Sequence, residues 1–461
     1  MFEIKHRGST VAREVIGGAT TFMAMSYILF VQPAVLSKAG MDSGGVFMAT
    51  CISSAIACFL MGILSNYPIA LAPGMGENFF FVFTLCGAGG VAAFKLSWPE
   101  ALALTTAAGA IFLLLSLVGF RSMIVNAIPD SLKSGIAAGI GLFIALIGFE
   151  WGNLIQADAA TFLKLADMHG NYVAALTLGG LGVTLALTAL HVRGAILLGI
   201  LITTTATWAV GQIWHVPAVH WAGVVGVPHG LGETAGAFVG GFAALWAKVV
   251  SGQWLAVVTM TFIVLFMALF DTVGTLVGVA SRAGLMAGGK LPRAERALAA
   301  DAAGTIVGAA LGTSTVTCYI ESITGVSSGA RTGLSAIVAG VCMLAALLFQ
   351  PLVTMVGGGV QVGTFAWGDP ILRYPMIAPA LILVGSMMMR TMRDIQWDDM
   401  TEALPGFLAM VTMAFAYSIS AGIAIGFISY AAGKLLTGRV KECPVIVYVF
   451  AILFVVQYVV V

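Results

Sequence analysis

Residues 261–280 read TFIVLFMALFDTVGTLVGVA. This run is long enough to cross a bilayer as a helix, since a spanning helix needs about 20 apolar residues. Its one charge is Asp271, and no other charged residue occurs between Lys248 and Arg282. A carboxylate at the centre of a membrane helix costs about 2.5–3.5 kcal/mol, so Asp271 must face protein or water. The run predicts a membrane helix with a functional carboxylate; a purely structural Asp bonded to neighbouring hydroxyls is the alternative.

The rest of the chain has a similar composition. Its 461 residues include 21 Lys+Arg and 20 Asp+Glu, so 9% are charged, and 60% are hydrophobic. An ordinary soluble protein has about 25% charged residues. The composition therefore excludes a soluble globular enzyme, a disordered protein and a nucleic-acid binder. The fold class that remains is an all-α polytopic membrane protein in a lipid bilayer, because continuous apolar runs disfavour a β-barrel.

Fourteen apolar segments and one extra C-terminal piece are predicted. They fall at about 15–36, 46–65, 77–94, 99–119, 124–148, 171–190, 194–214, 253–280, 298–314, 322–330, 332–356, 376–392, 403–417, 419–436 and 444–461. With the N-terminus in the cytoplasm, 16 of the 21 basic residues lie inside and 5 outside, as the positive-inside rule requires. The piece 444–461 either spans the membrane or lies along it.

The chain contains an internal repeat. Phe22-Met-Ala-Met25 recurs as Phe266-Met-Ala-Leu269, an offset of 244, and the same offset carries Glu77 onto Glu321. Each glutamate lies in an apolar segment that Pro, Gly, Ser or Thr interrupts. Two copies of seven segments have opposite orientations in the membrane, because seven is odd. Interruptions at matching places of inverted repeats are typical of a transporter's binding site.

The residues of these interrupted stretches suit a planar, polar ligand. Helix amides that begin near the midplane attract carboxylates and electronegative atoms, and a capping role is the alternative for Glu77. Two carboxylates accept N–H donors, and Asn78 can both donate and accept. Phe79 and Tyr319 offer faces for stacking, with ordinary packing as the alternative for each. No grouping of residues predicts a metal site or a nucleophile with its base.

Several longer motifs resemble one known family. They are Gly18-Ala-Thr-Thr-Phe-Met-Ala-Met-Ser-Tyr-Ile28, Ala72-Pro-Gly-Met-Gly-Glu-Asn78, Leu269-Phe-Asp-Thr-Val-Gly-Thr275, Gly312-Thr-Ser-Thr-Val-Thr-Cys-Tyr-Ile-Glu-Ser322 and Arg331-Thr-Gly333. The chain resembles the purine-permease branch of the nucleobase–cation symporters, the AzgA-like adenine/guanine/hypoxanthine group, over nearly its whole length. It departs from the family pattern at Gln32, where Asn usually precedes the proline, and at Phe79, where a small residue often stands.

The resemblance implies two inverted seven-segment repeats that form a core domain and a gate domain, with short strands opening segments 3 and 10. The implied divisions are a cytoplasmic tail at 1–14, the core domain at 15–120 and 251–357, the gate domain at 121–250 (with a long outer loop) and 358–443, and the C-terminal piece 444–461. The purine would bind between the two strands. The residues expected to bind it are Asp271, Glu321, Asn78, Phe79, Tyr319, Thr275, Ser322 and Glu77.

The predicted function is import of hypoxanthine, guanine or adenine across the cell membrane by proton symport. Asp271 or Glu321 would carry the proton, and no cofactor or metal is expected beyond that H⁺. The core domain would slide against the gate domain. A homodimer through the gate domain is compatible with the resemblance. The alternatives are a bicarbonate or sulfate transporter of the same fold, a uracil or xanthine transporter, a channel and a membrane-embedded enzyme.

Overall fold

The structure is a computed structural model of the chain. It describes residues 2–88, 95–117, 129–158, 160–216, 219, 221, 223–286, 291–364 and 370–460. The end of the predicted segment 77–94, the end of 99–119, the start of 124–148 and the domain boundary at 120/121 lie outside the described residues. In the described part, nine helical stretches are long and apolar enough to cross a membrane. The chain is therefore a multi-pass membrane protein, and the number of fourteen segments stays a prediction.

Most of the described residues are helical. The helices are α1 Val11–Met25, α2 Ile28–Leu36, α3 Ser43–Leu60, α4 Met75–Phe79, α5 Trp98–Leu117, α6 Asp130–Trp151, α7 Tyr172–Ala189, α8 Ala195–Trp214, α9 Leu231–Thr234, α10 Ala237–Lys248, α11 Trp254–Arg282, α12 Ala294–Leu311, α13 Ser322–Ser327, α14 Gly333–Ala346, α15 Gln350–Gly357, α16 Ala378–Met388, α17 Met400–Phe415, α18 Ile419–Leu436 and α19 Val445–Val460. Helix α3 continues as a π-helix over Met61–Ser65, and α4 does so over Phe80–Leu85.

A short strand lies in each of the two interrupted stretches. Strand β1 (Leu71–Pro73) pairs antiparallel with the strand at Val316–Cys318, with Ala72 opposite Thr317. Pro68 and Pro73 prevent a helix before α4. The β-branched run before α13 favours an extended chain in the same way. Each strand satisfies the backbone groups of the other inside the protein, as non-helical backbone at membrane depth requires.

The described residues also form two β-hairpins. Strands are numbered in chain order. Strands β2 (Ile155–Asp158) and β3 (Phe162–Leu165) form one, and β5 (Val360–Thr364) and β6 (Pro370–Arg373) form the other; the strand paired with β1 is β4. Both hairpins connect helices outside the apolar runs. Strands were predicted only before segments 3 and 10, so these two hairpins were not predicted from the sequence.

The stretch expected to be a long outer loop also contains a helix. Helix α10 packs against α5. The close approach depends on Gly241, because a Cβ there would collide with the carbonyl group of Pro99. The apolar residues of α10 explain why it folds onto the helices rather than remaining a loop.

The long helices pack in two groups. Helix α6 contacts α16, α17 and α18, whereas α12 contacts α3 and α5, and α14 contacts α1 and α3. The run 403–436 divides where the sequence analysis placed the break: α17 ends at Phe415, and the Ser418 hydroxyl accepts a hydrogen bond from the amide of Ala421 to begin α18. The β1–β4 pair lies inside the second group, where the buried polar residues collect.

Candidate functional site

Asp271 lies beside the strand pair. It occupies the middle of α11, and its Oδ2 accepts a hydrogen bond of 2.9 Å from the Thr317 hydroxyl on β4. Thr317 is fully buried, whereas the Asp271 side chain is exposed. One face of this carboxylate is therefore fixed by protein, and the rest is accessible to a ligand.

Glu321 lies at the start of α13, directly after the second strand. Its Oε1 accepts a hydrogen bond of 2.8 Å from the hydroxyl of Tyr27, which stands at the break between α1 and α2. The rings of Tyr27 and Tyr319 are 6.4 Å apart. Tyr319 in turn donates its hydroxyl to the carbonyl of Pro73 on β1. Two tyrosines thus hold Glu321 and the strand pair in one unit.

Glu77 lies in the first turn of α4, close to the strand pair. Its Oε2 lies beside Gly74, where a Cβ would also meet Thr317. Asp271 is within electrostatic range of both Glu77 and Glu321. In the part of the chain that the structure describes, no ion pair includes any of these three carboxylates. Such a cluster can accept N–H donors or protons, and it repels anions.

The side-chain amide of Asn78 donates to residues outside this cluster. Its Nδ2 donates to Oε1 of Gln32 over 2.8 Å, and Gln32 donates to the hydroxyls of Thr313 and Ser314. Asn78 is fully buried. The structure therefore uses its amide donor to connect α4 with α2 and with the turn before β4.

Phe79, Ser322 and Thr275 have packing or backbone contacts. Phe79 is fully buried in an aromatic cluster with Phe83 and Phe143, at centroid distances of 6.1 and 6.2 Å. The Ser322 hydroxyl accepts a hydrogen bond of 3.1 Å from the amide of Ala70. Thr275 lies one turn after Asp271 on α11 and is buried. Of the eight predicted residues, the structure brings Asp271, Glu77, Tyr319 and Glu321 together around the strand pair.

Asp301 is a buried aspartate that was not among the site residues predicted from the sequence. It is fully buried in α12, and its Oδ2 accepts a hydrogen bond of 2.8 Å from Thr272. Its Oδ1 accepts a longer one from the Cys318 thiol at 3.7 Å. The available signal was an aspartate inside the apolar run 298–314, the same signal that identified Asp271. Asp301 is connected to Asp271 through hydroxyls, because Thr272 also approaches Thr317, the residue that donates to Asp271.

These features together define a transporter: many membrane helices, two of them broken at a strand pair, with uncompensated carboxylates where they meet. Residues 12–425 match the model of the Permease family, and the chain belongs to that family. A permease is a transporter and not an enzyme, which confirms the predicted class and excludes the alternative of a membrane-embedded enzyme.

Named relatives agree with the family. The chain is 40% identical to the guanine/hypoxanthine permease PbuG of Bacillus subtilis over 469 residues, which cover 99% of this chain and 98% of that one. It is 36% identical to the adenine permease AdeP of Escherichia coli over 472 residues, covering 100% and 95%. The resemblance to the adenine/guanine/hypoxanthine branch is thereby confirmed.

Solved structures of low sequence identity share the fold. The transmembrane domain of the cyanobacterium bicarbonate transporter BicA superposes with a TM-score of 0.60 at 13% identity, over 90% of this chain and 96% of that one. The murine anion transporter Slc26a9 in its inward-facing state gives a TM-score of 0.54 at 10% identity, over 90% and 68%. At these identities the likeness concerns the fold alone.

Proposed function

We propose that this protein carries purine nucleobases across a membrane. The observation that carries the proposal is the group of carboxylates around the β1–β4 pair, which have no cation partner in the described part of the chain. Asp271 and Glu321 would accept N–H donors of the base, and Tyr319 would lie against its ring. The names of the relatives, guanine/hypoxanthine and adenine permeases, support this class of substrate.

A proton is the proposed co-transported ion. A second negative charge in a buried site is costly, so a proton on Asp271 or Glu321 would accompany the base. Proton and base would together neutralise the site, and only the neutralised site would move. No cofactor is part of this mechanism.

The proposed motion is alternating access between a core domain (15–120 and 251–357) and a gate domain (121–250 and 358–443). The aromatic cluster supports a boundary there. Phe79 and Phe83 belong to the core part, and they contact Phe143 and Tyr417 of the gate part. Rings in contact can slide at small cost, and an ion pair that joins the two parts elsewhere, Lys248–Glu100 at 3.2 Å, would have to open or move with the core part. An equilibrium between two states, shifted by substrate, would follow.

The proposed location is the cell membrane, with the N-terminus in the cytoplasm and the gate domain available for a homodimer. The distribution of basic residues supports this orientation.

The test is uptake into proteoliposomes of labelled hypoxanthine, guanine, adenine, uracil and xanthine, with and without a protonophore. We expect uptake of at least one of the first three, lost when the protonophore collapses the proton gradient. Sulfate and bicarbonate should not compete. Uptake of none of the bases, or competition by sulfate, would contradict the proposal.

A further inference from the structure

Glu77 also lines a small cavity. Its volume is about 10 Å³, about the space that one water molecule needs, and it is bounded by the π-helical continuation of α4, by α5, by α11 and by the turn before β4. Most of its wall is apolar, with Phe and Leu side chains and Met267 of α11, one helical turn before Asp271. Its polar wall consists of Glu77, Thr105, Ser314 and Thr315.

Two buried oxygens in this wall lack hydrogen bonds. Among the described residues, neither Oε1 of Glu77 nor Oγ1 of Thr315 has a hydrogen-bond partner, although both atoms are excluded from solvent. Both residues line the cavity, and the two oxygens do not bond to each other. Leaving a buried polar atom unpaired costs about 1–3 kcal/mol, and more for a charged group. Such atoms around a small space indicate a bound water.

A third group can complete the site. The hydroxyl of Ser314 accepts a hydrogen bond of 2.8 Å from Gln32, which leaves its own O–H to donate elsewhere. A buried water has about three polar partners, and Glu77, Thr315 and Ser314 supply that number. A metal cation is a poorer occupant, because the wall is mainly aromatic and aliphatic and offers a single carboxylate.

We propose that this cavity holds a water bonded to Oε1 of Glu77 and Oγ1 of Thr315, and that Glu77 takes up through it the proton that Asp271 or Glu321 then carries with the base. The proton part rests on the proposed symport. In the exchange, an O–H bond forms at Oε1 as the water gives up a proton, and the water regains a proton from a hydronium ion or a further water that reaches the cavity. Glu77 releases the proton by the reverse step.

The position of Glu77 fits this role. Its Oε2 lies beside Gly74 and the strand pair, its Oε1 is buried without a partner among the described residues, and the residue lines the cavity. The titratable groups within electrostatic range are Asp271 on α11, Asp301 on α12 and Tyr319 after β4. No Lys, Arg or His lies in the described lining of the cavity. Glu77 therefore senses the charge on Asp271 without occupying the crevice in which Asp271 is exposed.

The test is infrared spectroscopy of the reconstituted protein, which records the C=O stretch of protonated carboxyl groups and its shift in D₂O. The Glu77 band is identified by its loss in Glu77→Gln, or by its movement in Glu77→Asp if the first variant does not reach the membrane. We expect Thr315→Val to slow H/D exchange of this band at least tenfold. Thr106→Val is the matched control, because Thr106 is a buried neighbour on α5 outside the described lining of the cavity, and its hydroxyl donates to the Leu102 carbonyl at 2.8 Å; its loss should leave exchange unchanged.

Exchange in Thr315→Val at the wild-type rate, or equal slowing in both threonine variants, would overturn the proposal. The measurement needs no substrate. A wild-type protein that transports no purine would refute the proposed function and leave the result on Glu77 exchange standing. Normal purine uptake together with unchanged exchange in Thr315→Val would refute the cavity water alone.

Discussion

The hydroxyl of Tyr27 donates a 2.8 Å hydrogen bond to Oε1 of Glu321, although the two residues are 294 positions apart. Tyr27 stands at the break between α1 and α2, and Glu321 begins α13. The bond therefore links the break between α1 and α2 to the start of α13. It occupies Oε1 of Glu321, so a ligand that binds Glu321 as proposed would use the other carboxylate oxygen.

Replacing Tyr27 by Phe should weaken purine binding about tenfold or more. The variant keeps the ring and removes one hydrogen bond to a carboxylate, a contribution of about 1.5–3 kcal/mol. The measurement is the dissociation constant for labelled hypoxanthine in detergent. Tyr430→Phe is the control, since Tyr430 donates to Glu402 at 2.6 Å in a similar pair between α17 and α18. Equal loss of affinity in both variants would show that the effect is not specific to the site.

The contact between α6 and α17 depends on a glycine pair. A Cβ added at Gly135 would lie 2.5 Å from the Cα of Gly406, too close for any side chain. We expect Gly135→Ala to lower Tm in a thermal unfolding experiment, because overpacking costs about 1–3 kcal/mol. Gly179→Ala on α7 is the control, since nothing lies within 4 Å of its added Cβ. An unchanged Tm in Gly135→Ala would contradict the observed packing.

The loop before α17 should show an acid-sensitive contribution to stability. Hydrogen bonds from the Arg439 guanidinium and from Thr401 lower the pKa of Asp399 from 3.8 to about 2. A lowered pKa in the folded state stabilises the protein above the unfolded value and loses that effect as pH falls toward the folded value. The Tm difference between wild type and Asp399→Asn should therefore shrink between about pH 5 and about pH 3. A difference that grows on acidification would refute this assignment.

The broken segments were predictable because their cause is local. A continued helix is disfavoured by Pro73 and Gly74, and by the Thr-rich run before Val316. These interruptions can be recognised from the sequence without knowledge of the fold. Asp271 and Glu321 were predictable for a similar reason, because a charge in an apolar run needs an explanation. Asp301 carried the same signal and was missed beside the longer motifs.

Other features depend on partners far away in the chain. The direction of Asn78 is set by Gln32, 46 residues earlier, and a sequence does not show which of two polar environments an amide faces. Phe79 packs with Phe143 of α6, a contact between distant parts of the chain that the sequence does not show, and its expected place near the base stays a prediction. The unpaired oxygens of Glu77 and Thr315 depend on how four elements leave a gap between them. Tertiary packing decides each of these, and local preference does not.

The most direct test of the central claim is counterflow of labelled hypoxanthine in proteoliposomes containing wild-type protein or Asp271→Asn. The amide can still accept the bond from Thr317, so the fold should survive while the carboxylate is lost. Asp130→Asn is the matched control, because that side chain is exposed and pairs only with Lys133 among the described residues. The account predicts normal membrane expression of all three proteins, counterflow in wild type and Asp130→Asn, and at least a hundredfold loss in Asp271→Asn. Counterflow by Asp271→Asn at the wild-type rate would contradict it.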